Sequence, residues 1–139
     1  MENLKAQLIR HESSERYMYR CSEGKLTVGV GRNIEDNGLR QSEIDLMLEN
    51  DIKESVQECD RNFPFFGALD EVRQDVLVNM CFNMGIGRLL GFKRMYAALD
   101  RGCYDVAAIE MMDSRWARQV KGRANELAQQ MRTGEYGSD

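Results

Sequence analysis

Cys21-Ser22-Glu23-Gly24-Lys25-Leu26-Thr27-Val28-Gly29-Val30-Gly31-Arg32 changes its periodicity partway along, and that change decides the fold class. Glu23-Gly24 is a turn signal. Beyond it Leu26, Val28 and Val30 recur at every second position, the repeat of a strand. From Tyr17 onward the residues shift toward aromatics, β-branched side chains and glycines, so residues 17–30 predict a small antiparallel hairpin or three-stranded sheet. Asn37-Gly38 supplies a second turn signal downstream. Upstream, Leu4, Leu8 and Ile9 share one side of a short helix over residues 3–13. Glu12 stands at its end.

Helical periods dominate the rest of the chain. Ile44, Leu48, Ile52, Val56 and Cys59 recur every three to four residues, and Pro64 closes the run. A helix of about twenty residues exceeds the usual three to four turns, so it reads as a connector spanning two lobes. A second helix is predicted from Ala68 to Met84, carrying Leu69, Val72, Val76, Met80 and Met84 inward. Breaks at residues 85–91, Gly102, Asp113-Ser114 and Gly122 divide the remainder into shorter helices. Val106, Ile109, Met112, Trp116, Leu127 and Met131 are apolar candidates for the core. The expected architecture is α+β within residues 1–139: an N-terminal lobe over about 13–60, and a helical C-terminal lobe over about 61–139 joined by helix 1–12.

Composition narrows the function classes. Charged residues make up 30% and proline occurs once, which favours a compact helical protein over disorder. There is no apolar run long enough to span a bilayer and no signal-peptide pattern at the start, so stable membrane insertion is not expected and the chain should remain in the cytosol until something releases it. Residues 1–60 carry 8 basic and 13 acidic groups, while residues 61–139 carry 11 and 10. Nucleic acid suits such a balance poorly. The cluster Arg115, Arg118, Lys121 and Arg123 reads either as a solvated helix face or as a contact for an anionic polymer. Cys21, Cys59, Cys81 and Cys103 show no close pairing and are expected as free thiols, the last three at or beside helical stripes. Nine methionines read as core filler.

Two patterns lead nowhere. Residues 33–38 look like the start of a calcium loop, but the twelfth position is Ile44 and Glu43 comes one residue early. A hydrolase built on Cys21 and the single histidine, His11, lacks a third group to orient the imidazole. No metal is implied.

What remains is a carboxyl, a sulfur and a hydroxyl straddling the step from helix to hairpin. Eight residues separate Glu12 from Cys21, and five separate Cys21 from Thr27. With Arg10-His11-Glu12 before it, this stretch resembles the catalytic signature of the phage-type lysozymes, glycoside hydrolase family 24, which include the lysozyme of T-even bacteriophages. The family signature reads Glu, eight residues, Asp or Cys, five residues, Thr, and this chain takes the rarer Cys. The resemblance runs on through Leu69-Asp70-Glu71-Val72-Arg73, Asn79-Met80-Cys81-Phe82-Asn83-Met84-Gly85, Gly91-Phe92, Ser114-Arg115-Trp116, Gly122-Arg123-Ala124 and Arg132-Thr133-Gly134.

The resemblance implies a muramidase that needs no cofactor, acts on bacterial peptidoglycan as a monomer, and serves phage lysis after a holin-type lesion admits it to the wall from the host cytoplasm. A glycosidase needs a carboxylic acid that keeps its proton until the leaving oxygen takes it, a demand that partial burial meets. By resemblance Glu12 is that acid. The second group holds or deprotonates water on the opposite sugar face, roughly 6.5–9.5 Å away in inverting enzymes. Here that group is Cys21. A thiolate suits the task better than a thiol, whose pKa is about 8.5 when free, and Arg20 and Lys25 are candidates to lower it. Attack through sulfur is the alternative chemistry. Thr27 would position water. Asn33, Phe82, Asn83 and Arg115 would contact substrate, Arg115 facing Glu23, and Arg123 would orient the catalytic glutamate. Arg32 replaces the family's histidine, and its expected partner is Asp51, a pair whose cation does not titrate near neutrality. The competing reading is a catalytically weak wall-binding or virion structural module of the same fold, suggested by the cysteine and the acidic N-lobe.

Overall fold

The computed structural model describes residues 1–137 of the 139-residue chain. Its backbone groups into two compact units, Met1–Met47 and Leu48–Asp139. The division falls inside the long helix, upstream of the boundary near residue 60 drawn from the sequence, and helix 1–12 groups with the first unit.

Unit one begins with α1 (Glu2–Glu12), followed by β1 (Glu15–Arg20), β2 (Leu26–Gly29) and β3 (Arg32–Asn33). The strands form one antiparallel sheet in the order β1-β2-β3. Thr27 on the central strand lies opposite Tyr19 on one side and Asn33 on the other. At 3% exposure it is the one buried residue among those described in this unit. Chain reversal between β1 and β2 is closed by two backbone bonds, Gly24 N–H to the Cys21 carbonyl at 2.8 Å and Cys21 N–H to the Lys25 carbonyl at 3.0 Å. Gly24 takes a φ of +78° there, a conformation glycine adopts at little cost.

After β3 the chain makes a single helical turn, α2 (Ile34–Asn37), where the sequence reading placed only a turn. Asn33 caps it, its side-chain oxygen accepting from Asp36 N–H at 3.0 Å, and Gly38 ends it at φ +62°. The connector helix α3 runs from Gln41 to Asn62, as its periodicity predicted. Glu43, its third residue, reaches back to the Arg40 N–H at 2.7 Å, half of a capping box.

Unit two is helical. A 3-10 turn at Phe66–Ala68 precedes α4 (Glu71–Met84). The helix starts later than the predicted Ala68 because Asp70 is its cap: extended itself, it accepts from Arg73 N–H at 3.2 Å. Leu69 is buried all the same, ahead of the helix. Then follow α5 (Ile86–Leu89), α6 (Lys93–Asp100), α7 (Tyr104–Met112), α8 (Arg115–Val120) and α9 (Gly122–Thr133). The core gathers Cys59, Phe63, Phe66, Val76, Leu77, Met80, Leu89, Met95, Leu99, Met111, Trp116, Leu127 and Met131. Arg73 ties α4 to the end of α9, donating to the Met131 and Arg132 carbonyls at 2.7 and 3.0 Å while lying over the Tyr104 ring. Those carbonyls have no partner inside their own helix.

Three core expectations fail together. Val106, Ile109 and Met112 are exposed, Ile109 by 65%, and Ala107, Ala108 and Met111 of α7 are buried instead. Helix α7 is apolar nearly all round, so its period names no inward face; close packing of α7 on α9 selects the small alanines. Of the methionines, Met80, Met95, Met111 and Met131 are buried. All four cysteines are free, with Cys59 and Cys81 in the core. Among the described residues no helix is long and apolar enough to cross a membrane.

Candidate active site

The hairpin turn builds a small site around sulfur. Cys21 is half-buried at the end of β1, and its thiol is held below its ordinary pKa first by the Lys25 backbone N–H. The Glu23 backbone N–H and the Thr27 hydroxyl act in the same direction, against burial and the Glu23 charge. The sequence reading assigned that effect to the charges of Arg20 and Lys25. The structure gives those side chains other work: Arg20 donates to the Gly24 carbonyl at 2.9 Å, and Lys25 lies 3.6 Å from Glu35 and 3.4 Å from Asp36. Peptide N–H groups, aimed by the turn, stabilise the thiolate instead.

Thr27 has one hydroxyl proton. Pointed at the Lys25 carbonyl 2.8 Å away, it leaves oxygen lone pairs for another donor; rotated toward Cys21, it donates to sulfur. Cys21 and Thr27 are therefore brought together, as their spacing suggested. Asn33, opposite Thr27, has its side-chain amide on Asp36 at 2.9 Å and its side-chain oxygen in the α2 cap.

Glu12 meets the same hairpin at Gly31. A methyl group built on Gly31 would lie 2.6 Å from Glu12 Oε2, 2.9 Å from Cδ and 3.0 Å from Cγ. The carboxyl end of Glu12 thus occupies the space where any other residue would place Cβ. Glu12 is otherwise exposed, where the task of a proton donor led to an expectation of partial burial. Sequence reasoning missed Gly31. Its signal is present in the Gly29-Val30-Gly31 run, yet nothing in the run says which glycine faces a carboxyl.

Arg32 does not serve as expected. Its fork grips Glu43, Nη1 and Nη2 donating to the two carboxylate oxygens at 2.7 and 2.5 Å, with a third bond to the Gly38 carbonyl at 3.4 Å. Glu43, rather than Asp51, is the partner, because α3 begins close enough to β3 for its first turn to fill a bidentate site. The Arg32 hydrogen bonds and the Arg40 N–H hold the Glu43 carboxyl down at about 2.

In unit two, Leu48, Ile52, Asp75, Val78, Asn79, Phe82 and Arg123 line a groove of about 330 Å³. Phe82 is 45% exposed and offers an apolar wall. Arg123, expected on the catalytic glutamate, hydrogen-bonds Asn79 Oδ1 through Nε and Nη2 at 3.0 and 2.7 Å. Asn83 accepts from the Trp116 indole N–H at 2.8 Å, which fixes the end of α4 to α8 and leaves its amide N–H₂ free to donate. Arg115 lines a separate depression with Met84, Arg88, Phe92, Ser114, Trp116 and Gln119. Asn79 and Asp75 were not singled out from the sequence; a helical stripe alone does not separate groove from core.

Comparison with known proteins places the chain in a family. Residues 9–133 match the phage lysozyme family model. Two proteins of Dictyostelium discoideum, probable T4-type lysozymes 1 and 2, are 24% and 26% identical, each alignment covering 96% of both chains. The pre-baseplate central spike protein Gp5 of Enterobacteria phage T4 is 31% identical over 78% of this chain, a match that takes in 20% of Gp5. The family model matches well over half of the chain, and on that ground the chain belongs to the phage lysozyme family and is a glycoside hydrolase.

Proposed function

We propose that this lysozyme hydrolyses the β-1,4 bond between N-acetylmuramic acid and N-acetylglucosamine in peptidoglycan, with Glu12 as general acid and Cys21 as general base. Glu12 gives its proton to the bridging oxygen as the C1–O bond breaks. Water adds to C1, and its proton passes to the Cys21 thiolate, with Thr27 holding that water. Solvent then restores both groups. The observation that carries this reading is the turn around Cys21, where two backbone N–H groups and the buried Thr27 hydroxyl bring the thiol below its ordinary pKa. Phe82 supplies an apolar face for a sugar ring, and Asn33, Asn83 and Arg115 supply polar contacts. The chain acts as a monomer. Its biological role is that of an endolysin: it accumulates in the host cytoplasm and reaches the wall once a holin-type factor opens the membrane.

A specific observation favours a second reading, a virion module: the match to the spike protein Gp5. Clearing of chloroform-treated Gram-negative cells, with mass identification of the released sugars, separates the two. Binding to walls with no sugar released, in protein kept reduced, would favour the module. For the mechanism, Glu12→Gln should lower turnover by about 10²–10⁴ with the fold intact, the typical worth of one positioned proton transfer. Cys21→Asp should retain activity and Cys21→Ser should lose it, because the base must ionise; equal activity in the two overturns the assignment. Release of the inverted anomer supports the base, and retention points to a sulfur-linked intermediate.

A further inference from the structure

We propose that Gly31 is a positioning residue for Glu12, its missing side chain being the seat in which the Glu12 carboxyl rests. The inference rests on the reading of Glu12 as proton donor and adds a residue that the reaction itself does not call for. Three atoms at the end of Glu12 crowd the place of a Cβ on Gly31, the nearest, Oε2, at 2.6 Å. Real Cβ contacts are not that short, so a side chain at 31 and the present Glu12 rotamer exclude each other.

Which partner yields follows from the chemistry of the neighbours. All three crowding atoms belong to the free end of an exposed side chain, not to backbone. A methyl group at 31 is therefore accommodated by rotation of Glu12, and the fold survives with its carboxyl elsewhere. Displacement of a reacting group by about 1 Å costs on the order of 10²-fold in rate. The chain before Glu12 offers no remedy, since α1 ends there and Ser13, at φ +61°, is tied back by its N–H to the Ile9 carbonyl at 2.8 Å. Moving the carboxyl means moving it within the side chain alone.

Gly29 provides the control that nature built beside it. Its φ of +67° matches the +68° of Gly31, yet a Cβ on Gly29 would meet nothing within 4 Å. Alanine at either site is strained by the positive φ; only alanine at 31 also displaces Glu12.

The test compares Gly31→Ala with Gly29→Ala on a soluble oligosaccharide of the wall. The expected result is a fall in kcat of about 10²-fold for Gly31→Ala with KM kept within about threefold, and kcat for Gly29→Ala close to the parent. Equal kcat losses in the two variants, or an unaffected kcat in Gly31→Ala, overturn the proposal. A thermal cycle reads the same contact without turnover. In a Glu12→Ala background the loss of Tm caused by Gly31→Ala should shrink to that of Gly29→Ala, and an unchanged loss overturns the seat. If the parent protein binds wall but releases no sugar, the proposed function fails, and this cycle still decides whether Gly31 seats Glu12.

Discussion

Cys21 in unit one and Cys59 in unit two carry the same thiol in opposite settings. Cys21 sits in a turn, and peptide N–H groups hold its pKa down. Cys59 is fully buried in the core, and that burial, with Cys81 beside it, pushes its thiol up to about 12. The contrast extends to the units themselves. Among the described residues unit one buries Thr27 alone, whereas every member of the apolar core lies in unit two. Local hydrogen bonds, ion pairs and left-handed glycines shape the first; excluded water and close packing hold the second. The proposed site, a carboxyl, a sulfur and a hydroxyl facing a polar sugar, belongs to the first kind of construction. Packing Cys21 into an apolar core would raise the cost of charging its sulfur, as it does for Cys59.

The harshest way to break this contrast is to open the core. Met111 is fully buried on α7, and Met111→Ala should cost about 2–5 kcal/mol of stability, the range for a large-to-small change that leaves a cavity. Urea unfolding checks the value, and hydrolysis well below the unfolding midpoint should stay near that of the parent. A loss of turnover without a loss of stability would mean that the core reaches the chemistry directly.

A gentler probe asks the two thiols themselves. In the folded protein, iodoacetamide should modify Cys21 with a half-reaction point below the ordinary thiol value of about 8.5. Cys59 should stay unmodified until the protein unfolds. Thr27→Val removes one donor to the sulfur and should move the Cys21 point upward. Mass mapping of the labelled peptides reads each site, and a Cys21 that reacts only above the ordinary value would remove the ground for its role as base.

Legibility in the sequence follows the same divide. Helix α3 could be read because Ile44 to Cys59 repeat without interruption and Pro64 stops them; the hairpin could be read because Glu23-Gly24 has few other uses. The pairing of Cys21 with Thr27 was legible as spacing, and with it came the family. Three things were hidden for physical reasons. Helix α7 has no polar face, so its period could not choose Met111 over Ile109. The partner of Arg32 depends on where a long guanidinium reaches, and Glu43 satisfies it from the first turn of α3, where the family resemblance pointed to Asp51. The role of Gly31 is an absence of atoms, which no pattern of side chains records.

That arginine pair gives the smallest effect and the cleanest sign. The side chains of Arg32 and Glu43 are 28% and 34% exposed, so solvent screens them and their worth at neutral pH is modest. Their pH dependence is nonetheless definite. The folded state holds Glu43 at about 2, below the unfolded value of about 4.3. Fewer protons are thus bound when folded, and the contribution is complete above the unfolded value and lost as pH falls through it toward 2. Urea midpoints measured from pH 6 to pH 2 should therefore decline less steeply in Glu43→Gln than in the parent below about 4.3, with the difference between them closing at the acid end. The guanidinium does not titrate in this range, so between pH 6 and 8 the two curves should run parallel. A difference that opened on the neutral side instead would mean that the Arg32 fork is not held by a carboxylate, and that β3 and the first turn of α3 are joined in some other way.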